Sequence, residues 1–237
     1  MGVAGRDARV MIWRVALLDA LAVLLPVECA GCGADDRALC SSCRAALEPE
    51  VNSRLVEPEL GAGGLRVWSG LEYGDVARSV ILALKQGQRA DMARALAPAL
   101  AAAVRGAAEV GAGVPVEVVP IPGTRASYRR RGYEPVRMLM SRAGLRASRV
   151  FAAARPHVAQ KVLAVHQRDR NLRGAFRVRT SVLGKAMAGR RILLIDDVVT
   201  TGATLREAAR ELREAGAEVV GAAVVASTPR RFAPVVE

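Results

Sequence analysis

Between Ile192 and Ala226 the chain reads as a buried strand, a loop of hydroxyls and glycine, a helix and a second buried strand, and this stretch restricts the fold more than any other. Arg191 to Ile195 is aliphatic over its last four residues, and Asp196 to Gly202 breaks the run with two acids, two threonines and a glycine. Ala203 to Ala215 has helical spacing and stops at Gly216, and Glu218 to Ala226 is aliphatic again. Two strands without polar alternation, joined by a crossover helix, specify a parallel βαβ unit covered on both faces.

The preceding residues extend the same plan. Val114 to Ile121 is β-branched and closes on Pro120 and Pro122, which predicts a buried strand entering a loop held extended by proline. Leu65 to Tyr73 predicts a strand, with Asp75 as the cap of the helix after it. Val76, Val80, Ile81 and Leu84, then Met92, Leu96, Leu100 and Val104, mark two helices separated at Gly87. Glu134 to Ala143 predicts a further helix, His157 to Gly174 an exposed mobile segment, and Phe176 to Val182 an edge strand. The expectation is an α/β fold with a mostly parallel sheet flanked by helices and ligands at the carboxyl ends of its strands. Gly61 to Gly64 form a joint between a module over residues 1–60 and an α/β domain over residues 61–237.

The loop carries the chemistry. Amides at a helix start point toward an anion and the helix dipole favours negative charge, so Thr200, Thr201, Gly202, Ala203 and Thr204 suit a terminal phosphate. Asp196 and Asp197 are costly to bury unpaired; two vicinal ribose hydroxyls and a divalent ion satisfy both. Phosphate and diol together describe ribose 5-phosphate. The plainer alternative is that the acids open a turn and Thr201 caps the helix.

Charge agrees in position but does not choose a partner. Arg125 to Arg191 holds eighteen lysines and arginines against Glu134 and Asp169, while the rest of the chain is net acidic within a total of +12. Such a cluster suits the phosphates of a small ligand, a nucleic acid backbone, or merely a solvated face. His157 and His166 fall inside it as phosphate contacts or exposed bystanders, whereas Trp13 and Trp68 are expected to pack.

Cys29, Cys32, Cys40 and Cys43 form two C-x2-C pairs seven residues apart. That spacing suits a tetrahedral, closed and therefore structural Zn²⁺ site that staples a segment too short for its own core. Two disulfides are the alternative, and they want an oxidising compartment. Val10 to Val27 is apolar but broken by Arg14, Asp19 and Pro26, and Glu28 suits no cleavage site, so the expectation is an amphipathic helix on a cytoplasmic protein without a membrane span.

Ile192 to Thr204 resembles the diphosphoribosyl-binding signature of type I phosphoribosyltransferases. The whole chain resembles the ComF/GntX family of competence-associated proteins through Leu82 to Gly87, Val119 to Pro122, Arg130 to Tyr133, Gln160 to Leu163, and Arg168, Asn171 and Gly174 to Phe176. The resemblance implies a type I phosphoribosyltransferase fold that binds phosphoribosyl pyrophosphate through Asp196, Asp197, Val198, Val199 and Thr200 to Thr204. It implies a pyrophosphate loop at Pro122, Gly123, Thr124 and Arg125, and a hood over Gln160 to Arg173. Arg125, Arg168 and Arg170 are then the cations facing pyrophosphate, with Mg²⁺ held indirectly near Asp196 and Asp197. Two positions depart: purine-salvage relatives commonly have an aspartate at Thr200 and the family usually has asparagine at Glu134, which speaks against base catalysis on a purine. The resemblance thus implies either phosphoribosyl transfer to an unspecified acceptor, or a zinc-stapled adaptor that engages single-stranded DNA or the uptake machinery.

Overall fold

The computed structural model describes residues 27–56, 64–86, 89–110, 115–152, 174–179 and 187–229. The N-terminal helix with Trp13, residues 61–63 of the joint, Gly87, and the hood with His157, His166, Arg168 and Arg170 lie outside the described residues.

Five strands form one sheet: β1 (Asn52–Val56), β2 (Leu65–Glu72), β3 (Glu117–Pro120), β4 (Arg191–Val199) and β5 (Glu218–Ser227), in the order β1-β2-β5-β4-β3. The pairings among β2, β5, β4 and β3 are all parallel, and only β1 runs antiparallel, against β2. The expected α/β plan with a mostly parallel sheet is therefore the observed one. Ile192 and Leu194 face one side of the sheet and Leu193 and Ile195 the other, and all four are buried. An aliphatic run buried on both faces requires helices on both sides.

Those helices are periodic where they touch the sheet. On one face, α2 (Asp75–Lys85) buries Ala77, Val80, Ile81 and Leu84, one stripe at helical spacing. Beside it pack α3 (Met92–Val110) and α5 (Pro135–Arg142), the latter through Val136, Leu139 and Met140. Alanines along α3 let β2 approach so closely that a side chain on Gly70 would strike the Ala99 carbonyl at 2.1 Å. The opposite face is covered by α6 (Ala203–Glu214) through Leu205, Ala208, Ala209 and Leu212, with the rings of Phe151 and Phe176 tilted against each other 5.5 Å apart nearby. Each large aliphatic side chain so buried contributes roughly 1.5–3 kcal/mol. A five-residue helix α1 (Ser41–Ala45) belongs to the cysteine segment.

Several boundaries differ from expectation. β4 continues through Val199, so Asp196 and Asp197 are strand residues and the loop shrinks to Thr200–Gly202. The acids are accommodated because they stand at the carboxyl end of the strand, where side chains face a cavity rather than the core. Asp75 is the first residue of α2, with Gly74 in the cap position. Two elements were not expected: β1, which joins the main sheet although it lies within residues 1–60 assigned to the cysteine module, and α4 (Arg125–Arg131). β1 has only Val56 buried and α4 has no buried residue, so neither carries a hydrophobic period. Of the edge strand expected at Phe176 to Val182, the described residues contain one antiparallel bridge, between Phe151 and Val178. Cys29, Leu39, Cys40, Cys43 and Leu47 join the cluster formed by α2, α3 and the sheet, so the cysteine segment shares the main core. Among the described residues no helix is long and apolar enough to cross a membrane.

Candidate functional site

The carboxyl ends of β3 and β4 open side by side. The Ile121 amide donates to the Ile195 carbonyl at 2.8 Å, carrying the ladder to the edge of the opening. Beyond it Pro122 and Gly123 lead to Thr124, whose hydroxyl caps α4 by accepting from the Ser127 amide at 3.2 Å. Across the gap, β4 delivers Asp196 and Asp197, then Thr200–Gly202, then the start of α6.

This second loop is locked by geometry. Gly202 has φ +80°, and a side chain there would meet Val56 at 2.6 Å, so only glycine fits. The first bond of the helix runs from the Arg206 amide to the Gly202 carbonyl at 2.9 Å. The Thr201 hydroxyl lies 3.3 Å from the Ala203 amide, but the cap position belongs to Gly202, so Thr201 does not serve as the conventional helix cap. Val198 to Leu205 with Asp196 enclose a hollow of about 30 Å³. The chain thus presents helix-start amides and threonine hydroxyls around one small space, the arrangement that takes an anion.

The two carboxylates are unequal. Asp197 is 7% exposed and accepts from Lys85 Nζ at 2.9 Å; this lysine is the last residue of α2. Burial acts to lower the lysine, but the charge and hydrogen bond of Asp197 outweigh it and hold Lys85 above the ordinary value. Asp196 is pushed up to about 8, first by burial and second by the charge of Asp197, against the opposing pull of Lys85 and the Asp197 amide at 2.8 Å. One carboxylate is therefore already paired by the protein, while the other has no ion pair among the described residues and is poised to gain a proton, a metal ion or a donor from a ligand.

A cavity of about 300 Å³ lies before both acids, bounded also by Lys85, Pro122, Gly123, Arg131, Glu134 and Thr204. It adjoins a second space of about 400 Å³ edged by Gly123, Thr124, Arg125, Tyr128 and Glu134. The structure thus brings Asp196, Asp197, Val198, Thr204 and the Pro122–Arg125 turn to one opening. Val199 has its side chain buried below it. Glu134 pairs with Arg137 at 2.6 Å. Lys85 and Arg131 were missed as site residues; both occur in stretches resembling the family, which was the only available signal. Arg131 lines the cavity with its Nε buried and unpartnered among the described residues.

The four thiols form a separate centre. Their sulfurs lie within 4.8 Å of one another, with Cys32 and Cys40 3.8 Å apart, and all four are free cysteines. A tetrahedron with bonds of about 2.3 Å has edges of about 3.8 Å, so the donor set fits a metal ion. Amides help: those of Cys40 and Cys43 point at Cys29 Sγ and Cys40 Sγ at 3.3 and 3.4 Å. Burial raises Cys29, but the amides of Cys40, Cys32 and Gly31 outweigh it and bring the thiol down to about 6. Cys40 is lowered by Ser42 and the Cys43 amide, whereas burial and its thiol neighbours push Cys43 up. Holding four thiolates this close would require a cation.

Comparison with known proteins agrees with this geometry. Residues 141–236 match the phosphoribosyl transferase domain family, a span that contains β4, the loop and α6. The DNA utilization protein YhgH of Escherichia coli is 32% identical over 156 residues, 63% of this chain and 66% of that one. The chain thus spans just under two thirds of that relative. Competence protein F of Haemophilus influenzae is 30% identical over 112 residues, 45% of this chain and 48% of that one. The adenine phosphoribosyltransferase of Nocardia farcinica is 60% identical over 42 residues, 18% and 22% of the two chains.

Proposed function

The chain belongs to the ComF family of phosphoribosyltransferase-like proteins, and on that premise we propose that it binds phosphoribosyl pyrophosphate with Mg²⁺ and transfers the phosphoribosyl group to an acceptor. The observation that carries the reading is the acid pair at the mouth of a 300 Å³ cavity, between an anion-sized hollow and a second loop.

In this reading the 5-phosphate occupies the hollow, held by the amides and hydroxyls of Thr200 to Thr204. Asp196 and Asp197 accept from the ribose hydroxyls. Gly123, Thr124 and Arg125 face the pyrophosphate, and Arg168 supplies a further cation for it. Mg²⁺ supplies charge neutralisation for the leaving pyrophosphate. Transfer breaks the bond from C1 of the ribose to the pyrophosphate oxygen and forms one from C1 to the acceptor. Lys85 holds the Asp197 carboxylate in place during binding through its 2.9 Å contact, and the barrier is lowered by fixed charge rather than by a dedicated base. The cysteine segment, which precedes β1 and packs on the main core, holds a structural Zn²⁺, and reduced thiolate ligands suit the cytoplasm.

A second reading is an adaptor for single-stranded DNA or for the uptake machinery. It is favoured by α4, where Tyr128 is 53% exposed beside exposed Arg125, Arg129 and Arg130, an aromatic platform flanked by cations. The names of the relatives, DNA utilization and competence, accord with it. A pyrophosphate-release assay on the full chain with Mg²⁺, across a panel of nucleobases and amines, separates the two. Acceptor-dependent release supports transfer; ligand binding with no release under any acceptor favours the adaptor.

A further inference from the structure

We infer that Arg54, on the edge strand β1, is a positioning residue that aims the phosphate loop. The inference rests on the reading of that loop as a phosphate cradle. Arg54 donates through one terminal nitrogen to the Thr200 carbonyl and through the other to the Thr228 carbonyl at 3.1 Å. Thr228 in turn donates its amide to the Val199 carbonyl at 3.1 Å. One guanidinium therefore ties together the exits of β4 and β5, 146 and 174 residues away in sequence.

The orientation of the cradle depends on this tie through peptide geometry. A trans peptide places its carbonyl and the next N–H on opposite sides, so a Thr200 carbonyl held on Arg54 turns the Thr201 amide the other way. Thr201 lines the hollow and Arg54 does not. The strand makes a second contact through Val56, which fills the space that a side chain on Gly202 would need. Arg54 and Val56 share one face of β1, two residues apart, and grip successive parts of the loop. Both lie outside the stretch that matches the transferase domain, so the cradle is completed by a strand that this match leaves out.

Two substitutions test this: Arg54→Met removes the donors and keeps the stem, and Arg54→Lys keeps one cation. In the ligand-free protein, the NMR order parameters of the Thr201 and Gly202 amides should fall in Arg54→Met and partly recover in Arg54→Lys. By calorimetry, ribose 5-phosphate should bind about tenfold more weakly to Arg54→Met, a loss of about 1.4 kcal/mol, while magnesium pyrophosphate binds as before. Unchanged order parameters overturn the inference. Equal weakening of both ligands alongside a lower melting temperature also overturns it, because it marks a general structural role. Failure of the unaltered protein to bind ribose 5-phosphate, with the order parameters still lowered in Arg54→Met, removes the phosphate reading and leaves the positioning role standing.

Discussion

At the mouth of β4 the donors are backbone amides fixed by a sheet, a left-handed glycine and an arginine reaching in from β1. Between Cys29 and Cys43 the donors are side-chain sulfurs brought together by short turns and one five-residue helix. The first arrangement is complete without a ligand. The second gathers sulfurs whose shared ionisation is opposed by burial and by one another, as the divergent titration of Cys29 and Cys43 reflects. The lesson is that the loop at the end of β4 is preorganised by the fold, whereas a thiol centre of this kind would depend on a metal ion, even though both pack on one sheet.

Removing the metal should therefore produce the largest effect. Chelation, or Cys40→Ser, is expected to lower the melting temperature of the full chain by on the order of 10 °C, followed by differential scanning fluorimetry. An unchanged melting temperature would break the comparison, since the turns alone would then suffice.

The cradle should instead respond to pH through its acids. Asp196, raised to about 8, accepts more strongly from a ribose hydroxyl as a carboxylate than as an acid, so affinity for ribose 5-phosphate should rise as pH climbs toward that point and then level. The effect on stability has the opposite sign. Because the folded state holds this proton more tightly than the unfolded chain, the contribution is complete below the ordinary aspartate range and is lost as pH climbs through 8. Asp196→Asn should flatten both profiles; a slope that survives would assign the titration elsewhere. Calorimetry from about pH 6 to 9, with denaturant melts alongside, measures the two.

The smallest expected effect sharpens the claim of preorganisation. Gly202→Ala meets both the positive φ and Val56, and should cost about 1–2 kcal/mol in denaturant melts and weaken ribose 5-phosphate about fivefold. An alanine accepted without loss would mean that the loop has freedom this account denies it.

What the sequence made legible divides along the same line. The unit from β4 to β5 was readable because its signals are local: an aliphatic run, a loop of small polar residues, an amphipathic helix. The cysteine spacing was equally local, and the four sulfurs do converge. The end of β4 was misplaced because acids in a strand look like a loop until a cavity is seen before them. α4 escaped notice because a surface helix of arginines buries nothing, and β1 because a strand with one buried residue has no alternation. Lys85 and Arg54 were illegible as partners for another reason. They meet Asp197 and Thr200 across 112 and 146 residues, and only the fold closes such distances.

The claim beneath the rest is that the acid pair and the loop after it receive a sugar phosphate. The direct measurement is calorimetric titration of phosphoribosyl pyrophosphate with Mg²⁺ into the full chain and into the Asp196→Asn, Asp197→Asn double variant. The account predicts saturable one-to-one binding to the first and, at an undiminished melting temperature, none to the second. Equal affinity for both proteins would contradict it.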